Sequence, residues 1–436
     1  MFEEKNTRFV NLIPNRNNST QLPPDTIWIQ LGLRVYASGK AYIKGLQWSH
    51  RQLELAPILG RSEYLLLTNN YPQYHDLYRN GFVHSRVRAY RESNVWVDVF
   101  RLHRDVTVSY HEFQDVDVIT GDQTALEKLL SSGCYKSVLV HFLNSQMWEV
   151  LQKHIDKIRI IVWVHGAEVQ PWYRRDFNYT NDCEREIAKR QSEVRINFWC
   201  SLLGNLPKNI KFVFVSNYLA EEVMEDIGIR IPQNQYSIIH NPIDTDIFIY
   251  HPKSIEQRKK ILSIRSYASR KYANDLTVKT ILELSKKPYF NELEFMMVGD
   301  GKLFEEVVIS LRRFKNVTLR RCFLKQEEIA ALQREYGVFL CPTRWDSQGV
   351  SRDEAMASGL VAVSTCVAAI PEFVDETCGI LAGEEDAYGL AEGIALLYEN
   401  PEIFMKLSEN AARRVRKQSE KKIIISQELN LIIDAD

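Results

Sequence analysis

No Cys-x-x-Cys pair occurs in this chain, and its seven cysteines, at 134, 183, 200, 322, 341, 366 and 378, stand singly with no histidine cluster beside them. That spacing speaks against a structural zinc site or a disulfide scaffold, so a reducing compartment is expected. No apolar run approaches the roughly 18 to 20 residues of a membrane-spanning helix. Met1-Phe2-Glu3-Glu4-Lys5 opens with charge in place of an apolar leader core. Excess charge of one sign is missing too: 55 Lys and Arg stand against 56 Asp and Glu, a formal net charge of -1. No global field therefore points to nucleic acid, and none is expected as a partner. The expectation is a cytoplasmic protein, with room for peripheral contact at the inner face of a membrane.

What is present is ordinary globular material in quantity. The 436 residues are 45% hydrophobic and 25% charged, enough for two or three cores. Short β-branched or aromatic runs at 64–68, 95–100, 138–142, 160–164, 212–215, 261–264, 295–298, 338–340 and 361–363 alternate with helical patterns. Strands alternating with helices imply parallel sheets covered on both faces, here two doubly wound halves. The turn His240-Asn241-Pro242-Ile243-Asp244 marks the boundary, giving 61–241 and 242–418 as Rossmann-like domains. Residues 1–60 break the rhythm: Leu22-Pro23-Pro24-Asp25, then alternating Ile27, Ile29, Leu31, Leu33 and Val35, reads as a small β-rich extension with hairpin patterning. Residues 419–436 read as a C-terminal helix able to pack back on the first domain.

One segment is more informative than the rest, Asp346-Ser347-Gln348-Gly349-Val350-Ser351-Arg352-Asp353-Glu354. A turn carrying one acid runs through glycine into a helix start carrying another. Helix N-termini offer unpaired N–H groups and a positive dipole to a diphosphate, while flanking carboxylates accept hydrogen bonds from hydroxyls. Alone, Ser351-Arg352-Asp353-Glu354 also fits a capping box, with Ser351 capping the helix and Glu354 reaching back.

From about residue 61 onward a set of short motifs follows in order: Asn69-Asn70-Tyr71-Pro72, Trp163-Val164-His165-Gly166, Val215-Ser216-Asn217 and His240-Asn241-Pro242-Ile243-Asp244. Ile264-Arg265 with Lys271, Val298-Gly299-Asp300-Gly301, the Asp346–Glu354 segment, and Gly359 with Ile370-Pro371-Glu372 complete it. This ordered set resembles the family-4 retaining glycosyltransferases of GT-B fold. The resemblance implies two Rossmann-like domains facing a cleft and a nucleotide-diphosphate sugar donor, UDP-sugar first among candidates. It further implies a saccharide or glycoconjugate acceptor, no cofactor, no metal, and a place in bacterial-type glycan or polysaccharide synthesis.

Residue by residue, the resemblance puts Glu354 on the ribose hydroxyls and Asp346 on the donor sugar, where the family has Glu. It puts the N–H groups of Gly349, Val350 and Ser351 on the diphosphate. Arg265 with Lys271 neutralises the leaving group, Arg270 being the other eligible cation. His165 falls beside the donor sugar as a hydrogen-bond donor. Asn80-Gly81 stands where the family often carries Gly-Gly, with Gly81 kept. Val298-Gly299-Asp300-Gly301 lacks a phosphate loop's Gly-Lys-Ser/Thr and reads as a tight turn. Asp115-Val116-Asp117 is taken as a surface string rather than a metal-binding pair.

Acceptor recognition is expected in the first domain, where Trp172, Tyr173, Arg174 and Arg175 combine aromatic faces with two guanidinium groups. The following stretch mixes Arg185, Lys189, Arg190 and Arg195 with Ile187, Val194, Phe198 and Trp199, a pattern for a core helix or an anionic membrane surface. Two rivals stand beside the transferase reading. Asp346, Asn80 and the extension suggest a non-catalytic glycan-binding or scaffold protein on a degenerate fold. The same fold also serves phosphorylases and nucleotide-sugar epimerases.

Overall fold

The computed structural model describes residues 62–74, 80–104 and 108–433. The hairpin expected within residues 1–60 lies outside them. The first sheet is built from β1 (Tyr64–Thr68), β2 (Asp98–Leu102), β3 (Ser109–Phe113), β4 (Val116–Gly121), β5 (Ser137–His141), β6 (Arg159–Val164), β7 (Ile210–Phe214) and β8 (Tyr236–Ile238). Their spatial order is β3-β4-β2-β1-β5-β6-β7-β8. The second sheet holds β9 (Lys260–Ile264), β10 (Glu294–Val298), β11 (Val317–Arg320), β12 (Val338–Leu340), β13 (Val361–Thr365) and β14 (Gly379–Ala382), ordered β11-β10-β9-β12-β13-β14. Among the described residues only β3 and β4 pair antiparallel. The architecture is thus two doubly wound α/β sheets.

Period-two alternation explains how one apolar run serves two faces. Leu65 and Leu67 join the core under one face of the first sheet, while Leu66 joins the core under the other. Ile160 and Val162 are separated from Ile161 and Trp163 in the same way. The second of these cores is completed by Ile424, Ile425 and Ile432 of the helix Lys421–Ile433.

Strands buried on both faces are the ones visible in the sequence, and the missed ones are at edges. β11 and β14 close the second sheet: β11 alternates half-buried apolar with exposed residues, and β14 is a four-residue run, Gly379-Ile380-Leu381-Ala382, with Ile380 and Leu381 half-buried. β3 and β4 form a hairpin at the edge of the first. Its turn, Gln114-Asp115, takes left-handed φ at both residues, 43° and 70°, the geometry that matches strand twist. The Asp115-Val116-Asp117 string is therefore a turn and the start of a strand, with Asp117 opposite Glu112.

The chain crosses between the two sheets twice, and the crossings run side by side. The N–H of Ile243 donates to Ser419 O at 2.8 Å and that of Lys421 to Ile243 O at 2.9 Å. In each sheet the strand order reverses at one point, between β1 and β5 and between β9 and β12. Ligands of open α/β sheets sit outside the carboxyl ends of the strands at such points. Arg265 directly follows β9, and Asp346 lies in the loop leaving β12.

Candidate active site

The loop after β9 is shaped by the glycines after β10. A Cβ on Gly299 would stand 1.8 Å from Arg265 O, and one on Gly301 would stand 2.2 Å from the carbonyl carbon of Tyr267. The tight turn expected at 298–301 thus has a purpose: it lets the Arg265–Ala268 backbone lie against it, with the Tyr267 N–H donating to Asp300 O at 2.9 Å. Gly299→Ala should displace Arg265 by about an ångström and cost about 10²-fold in turnover. Steady-state kinetics beside a melting curve would check this, a fall in turnover with the fold retained being the expected pattern.

Arg265 is buried, and its surroundings leave it under-used. Nη1 donates to Ser351 Oγ at 2.9 Å, while Nε and Nη2 are buried with no acceptor. Its guanidinium lies 4.9 Å from the Tyr272 ring centre. Lys271 Nζ stands 3.9 Å from Asp346 Oδ1 and 5.0 Å from the Trp345 ring centre. Burial works against charge on Asp346, but Lys271, Arg265 and Arg352 outweigh it and hold the carboxyl below its usual range. Arg270 is exposed, so the cation that meets the acid is Lys271.

The helix Val350–Ala357 starts differently from a capping box. Its N-cap is Gly349, at φ 96° in the left-handed region and without a side-chain cap. Ser351 lies inside the helix and turns its Oγ to Arg265. Glu354 is hydrogen-bonded by Gln326 and pushed up to about 8, by burial first and then by the neighbouring Asp353 charge. The capping-box alternative is therefore overturned: neither Ser351 nor Glu354 is used to satisfy the helix start, and the first-turn N–H groups of Val350 and Ser351 remain beside the two free N–H atoms of Arg265.

Across from this cluster, β6 delivers His165. Its backbone N–H donates to Glu168 Oε1 at 2.7 Å, and its Nε2 is 3.0 Å from His141 Nδ1. The ring packs on Phe82 and Phe142, with centroids 5.0 and 4.5 Å away. Burial, reinforced by the Arg86 charge, lowers His165 to about 3, so it is neutral near pH 7 and suited to hydrogen bonding, not to carrying charge. Gly81 has open space around it, and the left-handed residue of its turn is Asn80, at φ 54°. Asparagine tolerates that conformation, which explains how the first glycine of the family pair can be replaced.

Contacts between the lobes hold these pieces in register, and the sequence reading did not single them out. Trp345 lies in the core of the first lobe against Gly166, where a Cβ would meet its ring at 2.6 Å, and donates Nε1–H to Glu222 at 2.9 Å. Glu372 accepts from the backbone N–H of Asn217 at 3.0 Å and from that of Tyr218, capping a helix in the other lobe. Gln348 accepts from Asn241 N–H at 2.6 Å and donates to Asp353 Oδ2 at 3.0 Å. Asn241 in turn accepts from Arg86, whose Nε pairs with Glu428 at 2.8 Å with both side chains fully buried. Tyr90 and Trp163 complete the carboxylate's shell at 2.6 and 3.2 Å. Gln348 was in plain view inside the motif, but an uncharged turn residue gives no chemical signal.

The loop Trp172–Asn178, where acceptor recognition is expected, reaches the second lobe through Ser269 Oγ, which donates to Asn178 Oδ1 at 2.7 Å. Trp172 is half-buried and Tyr173 exposed. Arg174 departs from its expected role. Its guanidinium is engaged by Asp226 at 2.9 Å, Glu225 at 3.3 Å and Glu222 at 3.9 Å, so it braces the loop and is not free to hold an anionic acceptor. Arg175 makes no ion pair among the described residues. No group of three or more His, Cys, Asp or Glu able to hold a metal ion is found among the described residues, and no helix there is long and apolar enough to cross a membrane.

Residues 258–400 match the family model described as Glycosyl transferases group 1. Over 228 residues the chain is 26% identical to N-acetyl-alpha-D-glucosaminyl L-malate synthase of Bacillus anthracis, covering 49% of this chain and 56% of that one. Over 213 residues it is 24% identical to MMP alpha-(1->4)-mannosyltransferase of Mycolicibacterium hassiacum, covering 46% and 48%. The chain thus spans about half the length of the curated relatives it matches. In architecture it is similar to the sucrose-phosphate synthase of Thermosynechococcus elongatus, with TM-score 0.63, 16% identity, and 85% of this chain and 98% of that one covered. A pneumococcal O-GlcNAc transferase, solved with UDP and GlcNAc, gives TM-score 0.62 at 13% identity over 86% and 99%. The fold is that of the GT-B glycosyltransferases, and the resemblance to family 4 stands.

Proposed function

We propose that this chain, carrying a group 1 glycosyl transferase segment on a GT-B frame, transfers a sugar from a nucleotide-diphosphate donor to a saccharide or glycoconjugate acceptor with retention of configuration. The single observation that carries the reading is Arg265, a buried guanidinium with two unmet N–H donors beside a helix start and Lys271. Such a charge is costly unless an anion uses it, and a leaving diphosphate supplies that anion.

In this reading the bond from the sugar's anomeric carbon to the diphosphate oxygen breaks while the acceptor hydroxyl bonds to the same carbon on the same face. The hydroxyl proton passes to the released phosphate oxygen. Arg265, Lys271 and the N–H groups of Gly349, Val350 and Ser351 take up the developing negative charge. Asp346 and neutral His165 orient the donor sugar, and Glu354 accepts from the ribose. UDP-sugar is the donor we favour, since neighbours of this fold were solved with UDP. The experiment is a titration with UDP, GDP, ADP and CMP, then the matching sugar nucleotides, with the anomeric configuration of the product read by NMR. Absence of binding by every nucleotide diphosphate would sink the proposal.

The pH behaviour of Glu354 adds a second check. A carboxyl raised in the folded protein binds its proton where the unfolded chain has released it, so stability falls as pH rises from the ordinary carboxylate range through about 8. Ribose hydroxyls favour the charged form, so nucleotide binding at pH 7 should release a proton and tighten as pH approaches 8. Calorimetry in buffers of different ionisation enthalpy measures that release, and Glu354→Gln should abolish it.

A further inference from the structure

The loop Trp172–Asn178 and the helix Asp182–Gly204 beside it carry six cations, of which Arg174 and Arg185 are paired with carboxylates and Lys189 and Arg190 are exposed. Arg174 is tied to three carboxylates, and Arg185 pairs with Asp176 at 2.9 Å and Asp182 at 3.2 Å. Arg175 and Arg195 differ. Neither makes an ion pair with a carboxylate among the described residues. Arg195 donates Nη2–H to Gln170 O at 3.2 Å, and its Nε is buried with no acceptor. Arg175 sits where the loop leaves helical geometry, at φ -127° and ψ 17°, and is half-buried. The helix packs directly on the loop, which brings Arg195 to the side that carries Arg175; burial lowers Arg195 from its ordinary value, and the Arg175 charge lowers it further.

Beside them is Glu168. Its Oε1 holds the backbone N–H of His165, while its Oε2 is buried with no donor. Burial raises Glu168 to about 7, against the pull of Arg175. Near neutral pH the cluster is therefore net positive, with orphaned polar atoms on both the acid and a cation. Two like charges and an unmet Arg195 N–H cost free energy in the unliganded protein; an oxyanion would relieve both, and Glu168 would join it in the protonated form, donating its hydrogen to the anion.

We propose that Arg175 and Arg195 form an oxyanion subsite for the acceptor, with Glu168 alongside, so that the substrate class is an acceptor bearing a carboxylate or phosphate near the hydroxyl that attacks. Planar guanidinium forks match either group in two hydrogen bonds. The subsite adjoins the loop after β6, so the anion anchors the acceptor next to His165. This rests on the transferase reading, and it reassigns the anion-holding role from Arg174 to Arg195.

The test uses the full chain saturated with UDP and titrates glucuronate, glucose 6-phosphate and glucose, in the parent and in Arg175→Gln, Arg195→Gln and the double variant. Expected is about 10- to 100-fold tighter binding of at least one anionic sugar over glucose, the better of the two identifying carboxylate or phosphate as the source. That preference should vanish in the double variant while UDP affinity stays the same and the melting temperature stays level or rises, a pattern that a purely structural role would not give. Equal binding of neutral and anionic sugars, no binding by either anionic probe, or a preference that survives the double substitution overturns the subsite. Failure of UDP itself to bind the parent protein counts instead against the transferase reading.

Discussion

Arg265→Ala lowers turnover by about 10² to 10³-fold while leaving the melting temperature unchanged or raised. The two halves of this expectation come from one geometry. In the unliganded protein the guanidinium has a single hydrogen-bond partner, Ser351, and two buried donors with none. Its removal therefore takes away an unmet desolvation cost, with Tyr272 left to fill part of the space. In the reacting complex the same donors would meet charge that appears only as the sugar–oxygen bond breaks, so the loss falls on turnover. That pair of results would mark a position where stability is given up for function. Steady-state kinetics with the donor found by titration, together with calorimetric melting, checks both halves. A variant that melts several degrees lower and turns over normally would show that Arg265 serves packing.

Glu428→Gln acts in the opposite sense and is expected to destabilise the protein by about 3 to 5 kcal/mol. Glu428 is fully buried and receives Arg86, Tyr90 and Trp163. Neutralising it leaves Arg86 charged and unpaired inside the first lobe. Urea titration measures the loss. The double variant Arg86→Met/Glu428→Leu should recover most of it, because the uncompensated charge is gone. It should not recover activity fully, since Arg86 also donates to Asn241, and Asn241 in turn receives and gives hydrogen bonds at Gln348.

The sequence made the interior of the molecule legible and its margins less so. β1, β6, β9, β12 and β13 are apolar runs closed on both faces, and such runs have few other uses. β11 lies at a sheet edge where side chains meet water on alternate positions, β14 at the other edge is only four residues long and opens on glycine, and the hairpin at Gln114-Asp115 uses polar residues that look like a loop. In the site, Arg265, Lys271, Asp346 and Ser351 come together because each is fixed to a strand end or helix start that the motifs also mark. The pairings missed act across distance in the chain. Trp345 looks like one more aromatic until it is seen in the core of the other lobe, and Glu372 looks like a surface acid until it caps a helix 155 residues away. No local pattern encodes such partners. Arg174 failed for a related reason: its carboxylates are on another helix.

The pair Arg86–Glu428 also bears on the order in which the protein is made. The partners are 342 residues apart in sequence, and the core that contains them is closed by Ile424, Ile425 and Ile432. At a synthesis rate of about 5 to 20 residues per second, Arg86 waits roughly 20 to 70 seconds for its counter-ion. Through that interval one face of the first sheet is only partly covered, by the helix Gly81–Glu92, and Arg86 lacks its carboxylate. The first lobe, although it precedes the second in the chain, is the last to be completed.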